Sequence, residues 1–146
     1  MKKILVALDG SVREQGVLDA AALFGMQTGA TLVLLRSVGL PDSLPPEAYE
    51  ISPNDVMATL QSQAKEALDR LAFTLPTALA ATLRVVAGTP WQSVERVAVE
   101  ENVDLIVIGS HGYDVLDHIL GTTAAKVVNH ATCSVLVVRE PERFTS

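Results

Sequence analysis

Thiol chemistry is nearly absent from this chain: its 146 residues include one cysteine, Cys133. A single cysteine closes no internal disulfide and builds no thiolate zinc site, so the sequence suits a reducing compartment. Long apolar runs are missing too. The stretch that follows Met1-Lys2-Lys3 is broken at Asp9-Gly10, too short for an export signal, and no segment has the length of a membrane-spanning helix. We therefore expect a soluble, cytoplasmic protein with no membrane partner. Positive charge is also scarce: 11 Lys and Arg against 17 Asp and Glu leave a net charge of −6. That field opposes nucleic acid, which we do not expect as a partner, but a local cradle of backbone amides can still hold a phosphate. Neither G-x-G-x-x-G nor G-x-x-x-x-G-K-[ST] occurs, which removes the dinucleotide fingerprint and the P-loop. There are no internal repeats.

What is present is a globular composition, 49% hydrophobic and 19% charged, in a length that fits one domain, 1–146. Short apolar runs recur at 4–8, 31–35, 82–86, 105–108 and 135–138. The run Leu105-Ile106-Val107-Ile108 does not alternate with polar residues, as expected of a strand covered on both faces. Helical signals fall between the runs. Ser11 and Glu14 have capping-box spacing, which starts a first helix near Val12 with Val17, Ala21 and Phe24 on one face. Met57, Leu60, Ala64, Leu68 and Leu71 line a second helix, with Lys65, Glu66, Asp69 and Arg70 on its other side. Thr89-Pro90-Trp91-Gln92 supplies a third helix with an N-cap, a proline at its first position and a capping-box glutamine. A fourth helix runs from about Thr123 to His130.

Strict alternation of strand and helix implies right-handed βαβ units and an α/β fold: an open, doubly wound, five-stranded parallel sheet with helices on both faces. Ligands bind such sheets beyond the carboxyl ends of the strands, where the winding reverses. The segment 39–56, with four prolines and four acidic residues, is too long for an ordinary connection. We read it as a flexible acidic surface insert, with a lid or docking element as the alternative.

Two loops carry chemistry. Asp9-Gly10-Ser11 follows the first strand and offers a carboxylate to a ribose or a metal-bound phosphate; the competing role for Asp9 is to bond amides of its own turn. Gly109-Ser110-His111-Gly112 follows the fourth run, and Gly121-Thr122-Thr123 opens the last helix. Glycines let the backbone approach a phosphate closely, and a helix start adds amides, hydroxyls and positive dipole. One helix end contributes only about 1 kcal/mol, so both turns must converge on a single anion. No partner group for His111 is identifiable, so it is not assigned as a catalytic base and no catalytic residue is assigned. His118 is read as exposed, Trp91 as a packing residue with stacking on a base as the alternative, Arg36 after the second strand as a surface residue with a phosphate contact as the alternative, and His130 as a complement to the negative end of its helix. A phospho-receiver domain is disfavoured, because the third run is followed by Ala87-Gly88-Thr89 and the fifth by Arg139.

Asp9, Gly88-Thr89-Pro90, the run Asp-Leu-Ile-Val-Ile-Gly-Ser-His-Gly over 104–112, and the stretch from Leu120 to Arg139 resemble the universal stress protein family over nearly the whole chain. The ATP-binding branch carries G-x2-G-x9-G-[ST]; here eight residues, 113–120, separate Gly112 from Gly121, and Thr122 stands in the Ser/Thr position. The resemblance implies an adenine nucleotide alpha hydrolase-like fold with strand order 3-2-1-4-5. It also implies a regulatory stress-response protein rather than an enzyme, binding ATP, ADP or AMP. On this pattern Ala7, Leu8 and Ser37 frame the adenine, Ile108 packs on it and Asp9 faces the ribose. Gly109, His111, Gly112, Gly121, Thr122 and Thr123 surround the phosphates. Mg²⁺ rides on the phosphates, with Asp9 as its candidate protein contact. A homodimer through Val135, Leu136, Val137 and Val138 is implied as well, together with an unidentified protein partner. A slow ATPase or autophosphorylating enzyme, and a nucleotide-free dimeric interaction protein, are the competing functions.

Overall fold

A parallel strand covered on both faces must send apolar side chains both ways, and the first strand does so. The computed structural model describes residues 1–39, 53–110 and 120–139. In β1 (Lys3–Ala7), Ile4 and Val6 join one buried cluster and Leu5 the other. The chain continues through α1 (Glu14–Thr28), β2 (Thr31–Val38), α2 (Pro53–Phe73), β3 (Ala81–Ala87), α3 (Pro90–Glu100), β4 (Leu105–Gly109), α4 (Thr122–His130) and β5 (Ser134–Val138). All five strands are parallel in the order β3-β2-β1-β4-β5. Val17, Leu18 and Ala21 of α1 and Leu68 of α2 pack on one face. Val94, Val97 and Ala98 of α3, with Ala124 and Val127 of α4, pack on the other. Winding runs outward from β1 to β3 and then resumes at β4, so the reversal lies between β1 and β4.

Three local expectations change. Helix α1 begins at Glu14, not near Val12, and its N-cap, Arg13, makes no side-chain capping bond. Gly10 takes φ +80°, and this left-handed turn displaces the capping box by one residue. The Glu14 carboxylate accepts the Gly10 amide at 2.9 Å, while the Ser11 hydroxyl accepts the Arg13 amide at 3.2 Å. Thr89 does hold the N-cap position of α3, with Pro90 in the first turn, but its hydroxyl makes no capping bond. Of the expected insert 39–56, residues 53–56 already belong to α2, whose first turn carries Asp55 near the positive end of the helix; residues 40–52 lie outside the described residues. No helix among the described residues is long and apolar enough to cross a membrane.

Candidate functional site

Strand β2 runs three residues past the end of β1, which lies opposite Leu35, and a pocket of about 690 Å³ opens over the carboxyl ends of β1, β2, β4 and β5. Its floor follows the strand order. Leu35 and Ser37 come from β2, Ala7, Leu8 and Asp9 from β1 and the turn after it, Ile108 and Gly109 from β4, and Val138 with Arg139 from β5. Helix starts form the rim: Ser11 and Arg13 before α1, Pro90 and Val94 of α3, and Gly121, Thr122 and Thr123 at α4.

The two glycine turns are physically joined. The Ser110 carbonyl accepts the Gly121 amide at 2.8 Å, and the Ser110 amide donates to the Val138 carbonyl at 2.9 Å. This ties the end of β4 to the start of α4 and to β5, so Gly109 and Gly121-Thr122-Thr123 face the same space. Ser110 is 2% exposed, and its buried Oγ makes no hydrogen bond among the described residues although the residue lines the pocket. A buried hydroxyl without a partner costs about 1–3 kcal/mol, a cost that a polar ligand group would relieve.

Asp9 serves its own turn with one oxygen, Oδ1 accepting the Ser11 amide at 2.9 Å. Among the described residues no hydrogen bond reaches its second oxygen. Among the described residues Asp9 is the one acidic group lining the pocket, which also holds Arg13 and Arg139. Two arginines and the N-terminus of α4 thus line the same pocket as Asp9. Both arginines have interactions of their own.

Of the residues expected at a nucleotide site, Ala7, Leu8, Asp9, Ser37, Ile108, Gly109, Gly121, Thr122 and Thr123 line this pocket. His111, Gly112 and the loop up to 119, which includes His118, lie outside the described residues. Arg36 does not line the pocket and is not a surface residue. It sits within β2, and its guanidinium is paired to Glu14 at 2.7 Å with the side chain 14% exposed. Trp91 packs, as expected: its ring stacks on His130 at 4.9 Å between centroids, and Lys126 Nζ lies 5.3 Å from it. Sequence reasoning missed Arg13 and Arg139. The parallel register Gly109↔Val138 is the signal that leads to Arg139, since the residue after β5 must sit beside the one after β4.

The described residues contain no cluster of three or more His, Cys, Asp or Glu able to hold a metal. Magnesium needs no such cage, because it keeps several waters and binds through one or two carboxylates plus phosphate oxygens. Asp9, the acidic residue that lines the pocket, fits that limited role.

The comparisons agree with this architecture. Universal stress protein A homolog 1 of Coxiella burnetii is 35% identical over 140 residues, covering 94% of this chain and 95% of its own. The solved universal stress protein UspA from Lactobacillus plantarum is 26% identical with a TM-score of 0.77, over 94% of this chain and 97% of that one. The universal stress protein from Archaeoglobus fulgidus, solved in complex with dAMP, shares the fold at a TM-score of 0.66 and 18% identity, over 95% of this chain and 98% of that one. The sequence profile described as the universal stress protein family matches residues 1–139, and the chain belongs to that family.

Proposed function

We propose that this protein is a regulatory, adenine-nucleotide-binding universal stress protein that takes ATP, ADP or AMP in the pocket over the strand ends. The carrying observation is the hydrogen bond from the Gly121 amide to the Ser110 carbonyl, which brings the two glycine turns together beside a buried hydroxyl that has no partner among the described residues. On this reading the tail of the nucleotide lies at Gly109, Gly121, Thr122 and Thr123, the ribose meets the free oxygen of Asp9, and the base lies toward Ile108 and Ser37. Magnesium, when bound with the nucleotide, neutralises phosphate charge; the protein's part is to orient the tail and offer Asp9. The dAMP held by the Archaeoglobus fulgidus relative supports the ligand class.

Bound nucleotide biases the loops around the pocket and so the surface offered to a partner protein. Homodimerisation through β5 fits the topology, because β5 is an edge strand of apolar residues, Val135 to Val138, and such an edge needs covering. Size-exclusion chromatography with light scattering reads that state directly, and a monomer at micromolar concentration ends the dimer proposal.

The decisive experiment heats freshly purified protein and analyses the released small molecules by mass spectrometry, followed by calorimetric titration with ATP, ADP and AMP in the presence of Mg²⁺. An adenine nucleotide released in stoichiometric amount, or bound at micromolar affinity, is the expected result. No release and no binding would leave only a nucleotide-free interaction protein. Sustained phosphate release or covalent label from Mg-ATP, abolished by Gly121→Val, would instead make the protein an enzyme.

A further inference from the structure

The β2 end of the pocket contains a hydroxyl whose donor is already spent. Ser37 Oγ donates to the Gly88 carbonyl at 2.7 Å and lies 3.1 Å from Ser93 Oγ. A serine hydroxyl has one proton and two lone pairs. With the Ser37 proton on Gly88, the contact with Ser93 must run the other way, Ser93 donating to Ser37. That leaves Ser37 one lone pair and no proton. Ser93 is buried, 3% exposed, whereas Ser37 lines the pocket beside Leu35, Val94 and Ile108.

The arrangement is held from behind. The Gly88 amide donates to the Val38 carbonyl at 2.9 Å, which fixes the carbonyl that takes the Ser37 proton. Gly88 has φ +143°, and a Cβ there would come within 3.3 Å of Ser93 Oγ, so this position needs glycine for both backbone and space. Turning the Ser37 proton toward a ligand would strip Gly88 of its donor.

We propose that Ser37, oriented by Ser93 and Gly88, selects 6-aminopurines over 6-oxopurines in this pocket. The inference rests on the nucleotide reading above and adds to it a specificity-determining residue. On that reading the base lies here: the glycine turns are on the β4 side, Asp9 is between, and Leu35 with Ser37 is on the β2 side. An exocyclic amine donates to the remaining lone pair of Ser37. A 6-oxo group meets it acceptor to acceptor. Sites that hydrogen-bond a substrate group reject the analogue lacking it more strongly than apolar sites reject a change of size.

The test is calorimetric titration of the wild-type chain and Ser37→Ala with AMP, IMP and purine riboside 5′-monophosphate; the last lacks only the 6-amino group of AMP, whereas IMP carries a 6-oxo group and a proton on N1. Wild type should favour AMP over IMP by about tenfold or more, with the unsubstituted purine between them, and Ser37→Ala should bring the AMP and IMP affinities within about threefold by weakening AMP. Ser93→Ala should reduce the ratio less, since Gly88 still takes the Ser37 proton. If Ser37→Ala does not fold, the wild-type series alone decides: equal binding of AMP and the unsubstituted purine overturns the proposal. So does a Ser37→Ala variant that keeps the wild-type ratio. Binding of all three with no preference defeats the selection and leaves the nucleotide site standing; no binding of any nucleotide defeats both.

Discussion

Arg36 and Glu14 form an ion pair between β2 and the start of α1, Nη2 to Oε2 at 2.7 Å, with the side chains only 14% and 17% exposed. The same Oε2 accepts the Gly10 amide at 2.9 Å, and a Cβ added at Gly10 would lie 3.1 Å from Arg36 Nη1. The turn that presents Asp9 therefore rests on a guanidinium rooted in the neighbouring strand. Arg36→Met should cost about 2–4 kcal/mol, because it leaves the Glu14 carboxylate largely buried without its counter-charge. Glu14→Gln keeps an acceptor for Gly10 and should cost less, about 1–2 kcal/mol. Urea denaturation orders the two, and an Arg36→Met variant as stable as wild type would show that the pair does not support the turn.

A second prediction concerns acid. Glu101 accepts from Arg84 at 2.9 Å and from Lys3 at 3.2 Å, and the bond from Arg84 first, then that from Lys3, holds its carboxyl below the ordinary range. Asp104 accepts the amides of Lys2 at 2.7 Å and Lys3 at 3.0 Å, which lower it in the same way. A carboxyl whose pKa is lower in the folded than in the unfolded chain binds fewer protons when folded. Its contribution is complete above the unfolded value, about 4, and is lost as pH falls through the folded one. The urea midpoint should stay level on this account from pH 7 to about 5.5 and fall below pH ~4.5. Glu101→Gln should flatten that fall, and an unchanged acid slope in this variant would remove Glu101 from the account.

Gly29 closes α1 in the left-handed region, φ +73° and ψ 16°, its amide donating to the Gly25 carbonyl at 2.8 Å. Nothing lies within 4 Å of where its Cβ would be, so substitution tests backbone conformation alone. Gly29→Ala should destabilise by about 1–2 kcal/mol, and Gly29→Asn by less, since asparagine tolerates this region better. Thermal melts of the two variants check the order. Gly29 is not among the pocket residues, so nucleotide affinity should be unchanged in both.

How far the sequence revealed this molecule depends on whether the deciding contact is local. Leu105 to Ile108 is an unbroken apolar run because both of its faces are covered, and the buried strand was legible for that reason. The end of β2 was not. Arg36-Ser37-Val38 breaks the apolar pattern, and these residues are strand because they pair with Val85, Val86 and Ala87. Arg36 also finds Glu14, and Ser37 finds Gly88, partners 22 and 51 residues away. The start of α1 was misplaced because the capping motif does not show that Gly10 turns left-handed. The glycine turns were recognisable as motifs, whereas the burial of Ser110 Oγ with no partner among the described residues arises when β4, β5 and α4 come together.

Gly109 provides the sharpest test of the pocket itself. It ends β4 opposite Val138, lines the pocket, and would bring a Cβ within 3.3 Å of Val17 Cγ2. Alanine asks Val17 to yield by a few tenths of an ångström; valine adds two branches where the backbone is proposed to meet a phosphate. Nucleotide affinity should fall about tenfold in Gly109→Ala and about a hundredfold or more in Gly109→Val, with the melting temperature lowered by only a few degrees. Gly29→Ala should show the reverse pattern, stability lost and affinity kept. The two glycines thus separate backbone freedom needed for the fold from backbone exposure needed for the ligand. If Gly109→Val remained folded and bound nucleotide as wild type does, the phosphate could not lie against the end of β4, and the proposed orientation of the ligand across the sheet would have to be abandoned.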